Sequence, residues 1–201
     1  MELIDAIKQR RSIRKFKTDP ISDELIEELL EAARLAPSGS NTQPWRFVVV
    51  KSDEMKKKLD EITPYKFALK APVLMVCCSD LNALENRPKR VMELLESGAF
   101  TDVELDDPDS DKYKGSMSES VSVKGYLALN VGIAIEHMAL RATDLGLGTC
   151  WIGRVDGEKT KTILGLDDNL QVVALLPVGY PAQDPAQRPR FSKEDIVIKT
   201  V

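Results

Sequence analysis

The chain has 201 residues, of which 43% are hydrophobic and 30% are charged, the balance of a soluble globular protein rather than of a disordered or fibrous one. Lys and Arg total 28 against 32 Asp and Glu, and the resulting net charge of −4 argues against a general nucleic-acid binder. The length indicates one domain, and the longest apolar run, Ala71 to Cys78, is far too short to span a bilayer.

The first part of the chain alternates helical and extended patterns. Residues 2–9 predict a short helix, and residues 22–35 predict a longer one with Ser22 as its N-cap. A polar turn then leads into a predicted strand over 45–51, because that segment is β-branched and aromatic and follows a proline. A helix is predicted over 53–62 and a second, buried strand over 71–78.

The pattern is least regular over residues 80–115. Between Asp102 and Asp111 six of ten residues are acidic, and a solvated loop is favoured over a mobile lid for that stretch. The remaining elements are a long apolar helix over 121–145, a helix over 156–164, a buried strand over 170–179 and a terminal strand over 195–201. Because the strands lack a βαβ rhythm, we expect an α+β fold, with one domain over 1–201 and a lid-like excursion at about 80–115.

Few side chains suit acid–base or nucleophilic catalysis. A Ser-His-Asp or Cys-His mechanism would have to use the single histidine, His137, and no metal-ligand spacing is present. The three cysteines, with Cys77 and Cys78 adjacent, form no disulfide framework, and the N-terminus has no secretory pattern, so we expect a reduced, cytoplasmic compartment. A bound cofactor is the natural source of chemistry.

Two arginine-rich segments indicate an anion site. The first, Arg10–Arg14 (RRSIR), puts three guanidiniums and a hydroxyl directly after the first predicted helix, and forked Arg donors with a Ser hydroxyl suit a phosphate. The second, Gln187–Arg190 (QRPR), follows the buried strand over 170–179, and both segments could share one phosphate. The alternatives are a solvated basic turn at a helix C-terminus and a basic loop that offsets nearby acids.

The segment from Ala36 to Trp45 (APSGSNTQPW) is a small-residue polar turn that lets a flat ligand approach the backbone. Asn41 and Gln43 each offer a donor and an acceptor, which matches the edge of a pyrimidine-like ring. Ordinary loop chemistry is the alternative. Trp45 is expected in the core because it opens the strand.

The segment from Leu145 to Arg154 (LGLGTCWIGR) contains glycines but is no dinucleotide fingerprint, because a helix precedes it where a strand is required. We expect the long helix to end at Gly146, followed by backbone that passes close to a ligand. Cys150 is expected to be a small buried hydrophobe.

Taken together and in order, these four motifs resemble the nitroreductase family of flavin enzymes. The resemblance covers nearly the whole chain, with no recognised counterpart for about 80–115. It implies an α-β-α sandwich with a central, mainly antiparallel sheet. It also implies a domain-swapped homodimer with two FMN molecules at the subunit interface, each held by residues of both chains.

The resemblance further implies a role for each motif residue. Arg14 would lie near N1 and O2 of the flavin, where a positive charge stabilises the anionic reduced ring. The phosphate would be held by Arg10, Arg11 and Ser12 together with Arg188 or Arg190. Residues that line the ring and its polar edge would be Pro37, Ser38, Gly39, Asn41 and Gln43. Backbone would be offered to N5 by Trp151, Ile152 and Gly153. No catalytic side chain is required.

The function implied is an FMN-dependent oxidoreductase that takes hydride from NADH or NADPH and passes it, by a ping-pong mechanism, to nitroaromatic, quinone or other electron-poor acceptors. The alternatives are a reductive dehalogenase, an enone reductase, a flavin-degrading enzyme or a non-catalytic FMN-binding protein. Dehalogenase relatives carry a Glu, Tyr, Lys set in the lid, and no such set can be placed here. The expected partners are a second copy of the chain and a small-molecule acceptor, with no nucleic acid and no membrane.

Overall fold

The computed structural model of the protein describes residues 1–99 and 122–201. The helices in these ranges are α1 (Leu3–Gln9), α2 (Asp23–Arg34), α3 (Asp53–Lys58), α4 (Arg87–Glu96), α5 (Val123–Asp144), α6 (Gly157–Leu164) and α7 (Lys193–Ile196). The strands are β1 (Trp45–Val50), β2 (Val73–Asp80), β3 (Gly148–Thr149) and β4 (Leu170–Gly179). The acidic stretch between Asp102 and Asp111 lies outside the described residues.

The four strands form one sheet in the order β1-β2-β4-β3, with every neighbouring pair antiparallel. The central strand β2 is buried on both faces, which explains its uninterrupted apolar sequence. Its side chains alternate between two cores, since Met75 faces one and Val76 the other.

Helices cover both faces of this sheet. On one face α2 and α5 pack through residues such as Leu29, Val131 and Met138. On the other face the core contains Leu59, which follows α3, and Leu164 from α6. The predicted α-β-α sandwich with an antiparallel sheet is therefore confirmed, and Trp45 is in the core as expected.

Local signals end the helices where the sequence indicates. The Ser22 hydroxyl accepts a hydrogen bond from the Leu25 N–H at 3.4 Å, so Ser22 is the N-cap of α2. Gly146 has a φ of +75° directly after α5, and the Leu147 N–H donates to the Ala142 carbonyl at 2.7 Å. This left-handed glycine turns the chain back onto the sheet as β3.

Two expectations are wrong. The terminal strand over 195–201 is absent: Ser192 and Asp195 form a capping box that starts α7, and the following residues have no regular structure. An alternating segment forms a strand only beside a free sheet edge. Within the described chain, residues 195–201 pair with no sheet edge. Residues 81–96 are helical rather than irregular, as a 3-10 segment (Leu81–Asn86) followed by α4. No helix in the two described ranges is long and apolar enough to cross a bilayer.

Candidate functional site

The arginine segment after α1 lies beside the short strand β3. Ser12 pairs with Thr149 in a parallel bridge, and the Ile13 N–H donates to the Thr149 carbonyl at 2.8 Å. Ile13 is buried, whereas Arg14 next to it is exposed. The apolar side chain thus anchors the segment while the guanidinium remains accessible.

Both arginine segments meet at Cys150, immediately after β3. Burial raises the pKa of the Cys150 thiol, and this increase is opposed by the charge of Arg14, by hydrogen bonding with Ser12, and by the charges of Arg188 and Arg10. The charges of three guanidiniums from two distant parts of the sequence therefore act on one thiol. Cys150 itself is buried, as expected from the sequence.

These cations have few acidic partners. Arg10 pairs with Glu136, with 3.2 Å between Nε and Oε1. Within residues 1–99 and 122–201, no carboxylate forms an ion pair with the other four arginines of the two segments, which are Arg11, Arg14, Arg188 and Arg190. Unpaired guanidiniums gathered in an acidic chain favour an anionic ligand, and with the Ser12 hydroxyl they fit a phosphate.

Three of the predicted arginines donate to main-chain oxygens, and one of these bonds joins the Arg14 guanidinium to the Ser12 carbonyl at 3.3 Å. The Arg11 guanidinium donates to the Lys8 carbonyl at 2.6 Å, at the C-terminal end of α1. The Arg190 guanidinium donates to the Pro189 carbonyl at 3.1 Å. Of the two arginines in the second segment, Arg188 is the one whose charge acts on Cys150.

A cleft of about 210 Å³ opens beside Cys150. Its lining consists of Arg14, Tyr65, Phe67, Cys150, Trp151, Ile152, Gly153 and Arg154. The Ile152 N–H donates to the Leu175 carbonyl at 3.0 Å, so it is used within the sheet. In the described part of the chain, the N–H groups of Trp151 and Gly153 donate to no other backbone group. Of the three predicted backbone donors, these two are therefore left for a ligand.

Tyr65 and Phe67 form an aromatic wall of the cleft that was not predicted from the sequence. The rings of Tyr65 and Phe67 lie 6.1 Å apart with a 50° tilt. Buried Thr63 holds this turn against the opposite wall, because its hydroxyl donates to the Arg154 carbonyl at 2.8 Å. A Tyr-x-Phe pair between a helix and a strand is the only local signal, and it does not reveal this long-range bond.

The loop over residues 37–43 is strained and internally bonded. Ser40, Asn41 and Gln43 have φ values of 50°, 52° and 45°, a left-handed conformation that is uncommon outside glycine. The Ser38 hydroxyl accepts from the Gln43 N–H at 3.0 Å, and the Gln43 side-chain amide donates to Asn41 Oδ1 at 3.0 Å. Such strain concentrates at functional sites.

Pro37 and Gly39 of this loop are exposed, whereas Ser38, Asn41 and Gln43 are partly buried. Thr42, between them, has a buried hydroxyl oxygen that makes no hydrogen bond in the described structure.

The loop and the cleft lie on different faces of α5. The Gly39 N–H donates to Asn130 Oδ1 at 2.9 Å, whereas Trp151 packs over Gly132. Positions two apart in a helix differ by about 200° around its axis. One chain therefore places Arg14 in the cleft and keeps Arg10, Ser12 and Arg188 within electrostatic or hydrogen-bonding reach of Cys150, but it does not bring the loop over 37–43 to them.

Comparison with known proteins shows the family to which the chain belongs. The model of the nitroreductase family matches residues 7–71 and 108–180. The chain belongs to the nitroreductase family. The match is interrupted over 72–107, which overlaps the excursion at 80–115 for which no motif was recognised.

Individual relatives of this nitroreductase-family chain extend along most of its length. An FMN reductase [NAD(P)H] of Bacillus subtilis is 32% identical, covering 97% of this chain and 72% of the relative. An iodotyrosine deiodinase of Nematostella vectensis is 27% identical over 97% of this chain and 72% of its own. The crystal structure of an Exiguobacterium sibiricum protein assigned as a nitroreductase, in complex with FMN, covers 100% of this chain and 98% of its own, with 26% identity and a TM-score of 0.80.

Proposed function

We propose that the chain is an FMN-dependent oxidoreductase that takes hydride from NADH or NADPH and passes it to nitroaromatic, quinone or other electron-poor acceptors. The observation that carries this proposal is that the Ser12 hydroxyl and the charges of Arg10, Arg14 and Arg188 act on Cys150, which lines the same cleft as Arg14. The names of the relatives, an FMN reductase and a nitroreductase-like protein with bound FMN, support it.

The phosphate of FMN would be held by Arg10, Ser12 and Arg188. Each charge-assisted hydrogen bond to such a group contributes about 1.5–3 kcal/mol. Arg11 and Arg190 are flexible cations that would join after releasing the carbonyls that they contact. Arg14 lines the cleft itself, where its positive charge would favour electron-rich ring oxygen and nitrogen atoms.

Bound FMN supplies a flat surface that accepts and returns hydride. The N–H groups of Trp151 and Gly153 would orient the ring near N5, the atom that accepts hydride, without adding an acidic side chain there. Tyr65 and Phe67 would exclude water from the same cleft. The cleft has no carboxylate and no imidazole among its described lining residues, which suits chemistry carried by the cofactor.

Both substrates would use this cleft in turn, which is a ping-pong mechanism. NAD(P)H and the acceptor would both stack in the cleft that Arg14 lines, so they would exclude each other. We therefore expect parallel lines in double-reciprocal plots and competitive inhibition of NAD(P)H by the acceptor.

A second copy of the chain would complete the site. The loop over 37–43 faces away from its own arginine cluster, so a domain-swapped homodimer would let it reach the partner's cofactor. Apolar side chains without cover support such an interface: Leu3 and Ile7 on α1, and Phe191 and Ile198 in the tail. Every residue over 186–201 is exposed in one chain. The tail would pack on the partner.

A reduced, cytoplasmic location is part of the proposal. The cysteines at 77, 78 and 150 are free and buried. Free thiols persist in reducing compartments, which supports this location.

Colour tests the proposal directly. The purified protein should be yellow, should bleach when NADH or NADPH is added without oxygen, and should recover its colour when a nitroaromatic or a quinone follows. A protein that stays yellow with both donors is a flavin binder without turnover. A protein that remains colourless after FMN is supplied contradicts the whole proposal.

A reductive dehalogenase is the second candidate, because one relative is an iodotyrosine deiodinase. Anaerobic reduction followed by iodotyrosine distinguishes the two. The main proposal expects little iodide release relative to turnover of quinones. Iodide release that exceeds quinone reduction would favour the second candidate.

A further inference from the structure

We propose that Asn130 and Tyr126, one turn apart on α5, are positioning residues that hold the loop over 37–43 in the shape that meets the flavin ring. This inference rests on the proposed function, in which that loop lines the ring. Neither residue belongs to a motif that the sequence analysis recognised.

Asn130 is a buried polar residue in an apolar helix. It is 3% exposed, and its neighbours Leu127, Val131 and Ala134 are fully buried. Its Oδ1 accepts from the Gly39 N–H at 2.9 Å, and its Nδ2 donates to the Tyr126 carbonyl at 2.8 Å. A polar amide at such a position is tolerated only when both ends are paired, and one of its two partners is the loop, 91 residues away in sequence.

Tyr126 fixes the same point of the loop by close packing. A Cβ added at Gly39 would overlap the Tyr126 hydroxyl oxygen. An alanine at position 39 would therefore displace the end of the Tyr126 side chain, which lies directly against the Gly39 Cα. The N–H of Gly39 and its Cα are thus both held by α5.

The loop needs such external support. Ser40, Asn41 and Gln43 keep left-handed conformations that persist only where the surroundings determine them. The bonds that Ser38 makes with Gln43, and Gln43 with Asn41, lie within the loop and move with it. Among the described residues, three side chains of other elements bond to the loop: Asn130 to the Gly39 N–H, and two exposed guanidiniums, of Arg87 to Ser40 Oγ at 3.1 Å and of Arg46 to the Gln43 carbonyl at 3.1 Å. Asn130 is the buried one of these three.

The experiment compares Asn130→Leu and Asn130→Asp in the full-length protein by titration with FMN and with riboflavin. Leucine keeps the size and removes both hydrogen bonds, so we expect affinity to fall about tenfold for both flavins, leaving their ratio unchanged. Aspartate retains the oxygen that accepts from Gly39 but places its second oxygen against the Tyr126 carbonyl in a buried site, so it should recover only part of the affinity. Thr143→Val, which removes a bond within α5 far from the loop, is the matched control and should leave both affinities unchanged.

Hydrogen exchange of the flavin-free protein gives a readout that does not depend on flavin binding. Asn130→Leu should increase exchange at Gly39, whereas Thr143→Val should not. The close contact between Gly39 and Tyr126 has its own test. Gly39→Ala should lower the affinity for both flavins, and the double variant Gly39→Ala with Tyr126→Leu should recover part of that loss.

Several outcomes would overturn the inference. Unchanged exchange at Gly39 in Asn130→Leu would show that the amide does not hold the loop. A weaker affinity for FMN with an unchanged affinity for riboflavin would place the effect at the phosphate. A lower melting temperature with both affinities unchanged would show that Asn130 has only a structural role. If the unaltered chain bound neither flavin, the proposed function and the flavin-positioning role would both be refuted. The hydrogen-exchange result would still decide whether α5 holds the loop.

Discussion

Ile13 lies so close to Gly148 that a methyl group added at position 148 would be 2.5 Å from Ile13 Cγ1. The contact occurs where the Ile13 N–H bonds to the carbonyl of Thr149, the second residue of β3. It therefore sets how close the arginine segment runs to the sheet and to Cys150.

Gly148→Ala should displace the arginine segment, because no flexible end of a side chain can absorb the overlap with a branched isoleucine. We expect a loss of stability of about 1–3 kcal/mol, as for other overpacked sites, together with weaker FMN binding. Ile13→Val in the same chain should recover part of both losses. Urea unfolding and FMN titration measure the two effects. The control is Gly157→Ala, where the added methyl would meet Val172 at 3.5 Å, and FMN affinity equal in both alanine variants would contradict the prediction.

Arg10→Ala and Arg188→Ala should each weaken FMN by roughly ten- to a hundredfold, because each removes a charge-assisted hydrogen bond to the phosphate. Arg190→Ala should have a similar effect only if its guanidinium leaves the Pro189 carbonyl on binding. Riboflavin, which lacks the phosphate, should bind unaltered protein much more weakly and should be insensitive to these changes. Arg34→Ala, whose exposed guanidinium pairs with Glu31, is the control. Equal affinities of the unaltered chain for FMN and riboflavin would refute the phosphate assignment.

The protein should be a dimer whose mass by light scattering is twice that of the chain at micromolar concentration. An obligate interface typically buries about 2,000 Å² or more, and the uncovered apolar tail is expected to contribute to it. Ile198→Asp should weaken the dimer, because it would place a charge in the apolar interface. It should not affect folding of the single chain, in which Ile198 is 99% exposed. Thr200→Asp in the same tail is the comparison. A monomer that retains FMN would count against the prediction.

Cys150→Ser and His137→Ala should leave flavin reduction by NAD(P)H nearly intact. Burial raises the pKa of the Cys150 thiol, so the neutral form predominates at neutral pH, and His137 Nδ1 lies 3.3 Å from the Ala32 carbonyl in a structural contact. Anaerobic stopped-flow absorbance measures the rate. A loss of about a hundredfold in either variant would mean that roughly 2.7 kcal/mol of barrier lowering comes from a side chain rather than from the cofactor.

Stability should fall in alkaline solution because of the buried thiols of β2. Burial raises the pKa of Cys78 to about 11, an effect that the charge of Lys161 opposes, and burial also raises the pKa of Cys77. The unfolded thiol loses its proton near pH 8.5–9, so between about pH 9 and 11 the unfolded state binds fewer protons and the free energy of unfolding decreases with pH.

For Cys78 this decrease amounts to roughly 2–3 kcal/mol, with the full stability present below pH 8.5. Urea titrations at a series of pH values measure it. Cys78→Ala should be less stable at neutral pH but should have a shallower alkaline slope. An identical slope in the variant would show that other groups cause the loss.

The features that depend on neighbouring residues could be predicted from the sequence. Ser22 caps α2 through a bond to a residue three positions away, and Gly146 ends α5 because its own backbone adopts a left-handed conformation. The apolar run of β2 requires burial on both faces, which is enough to place it at the centre of a sheet. The order of the four motifs was sufficient to indicate the family, since each motif is contiguous.

Which distant groups meet could not be predicted from the sequence and is seen in the folded chain. Arg188 approaches Cys150, Asn130 bonds to Gly39, and Thr63 bonds to Arg154, and none of these pairs shares a local pattern. The segment over 195–201 was wrongly predicted as a strand for the same reason. An alternating pattern forms a strand only where a sheet edge is available, and the pattern itself does not show whether one is. Local propensity selects elements, whereas the site depends on hydrogen bonds and packing between residues that folding alone brings together.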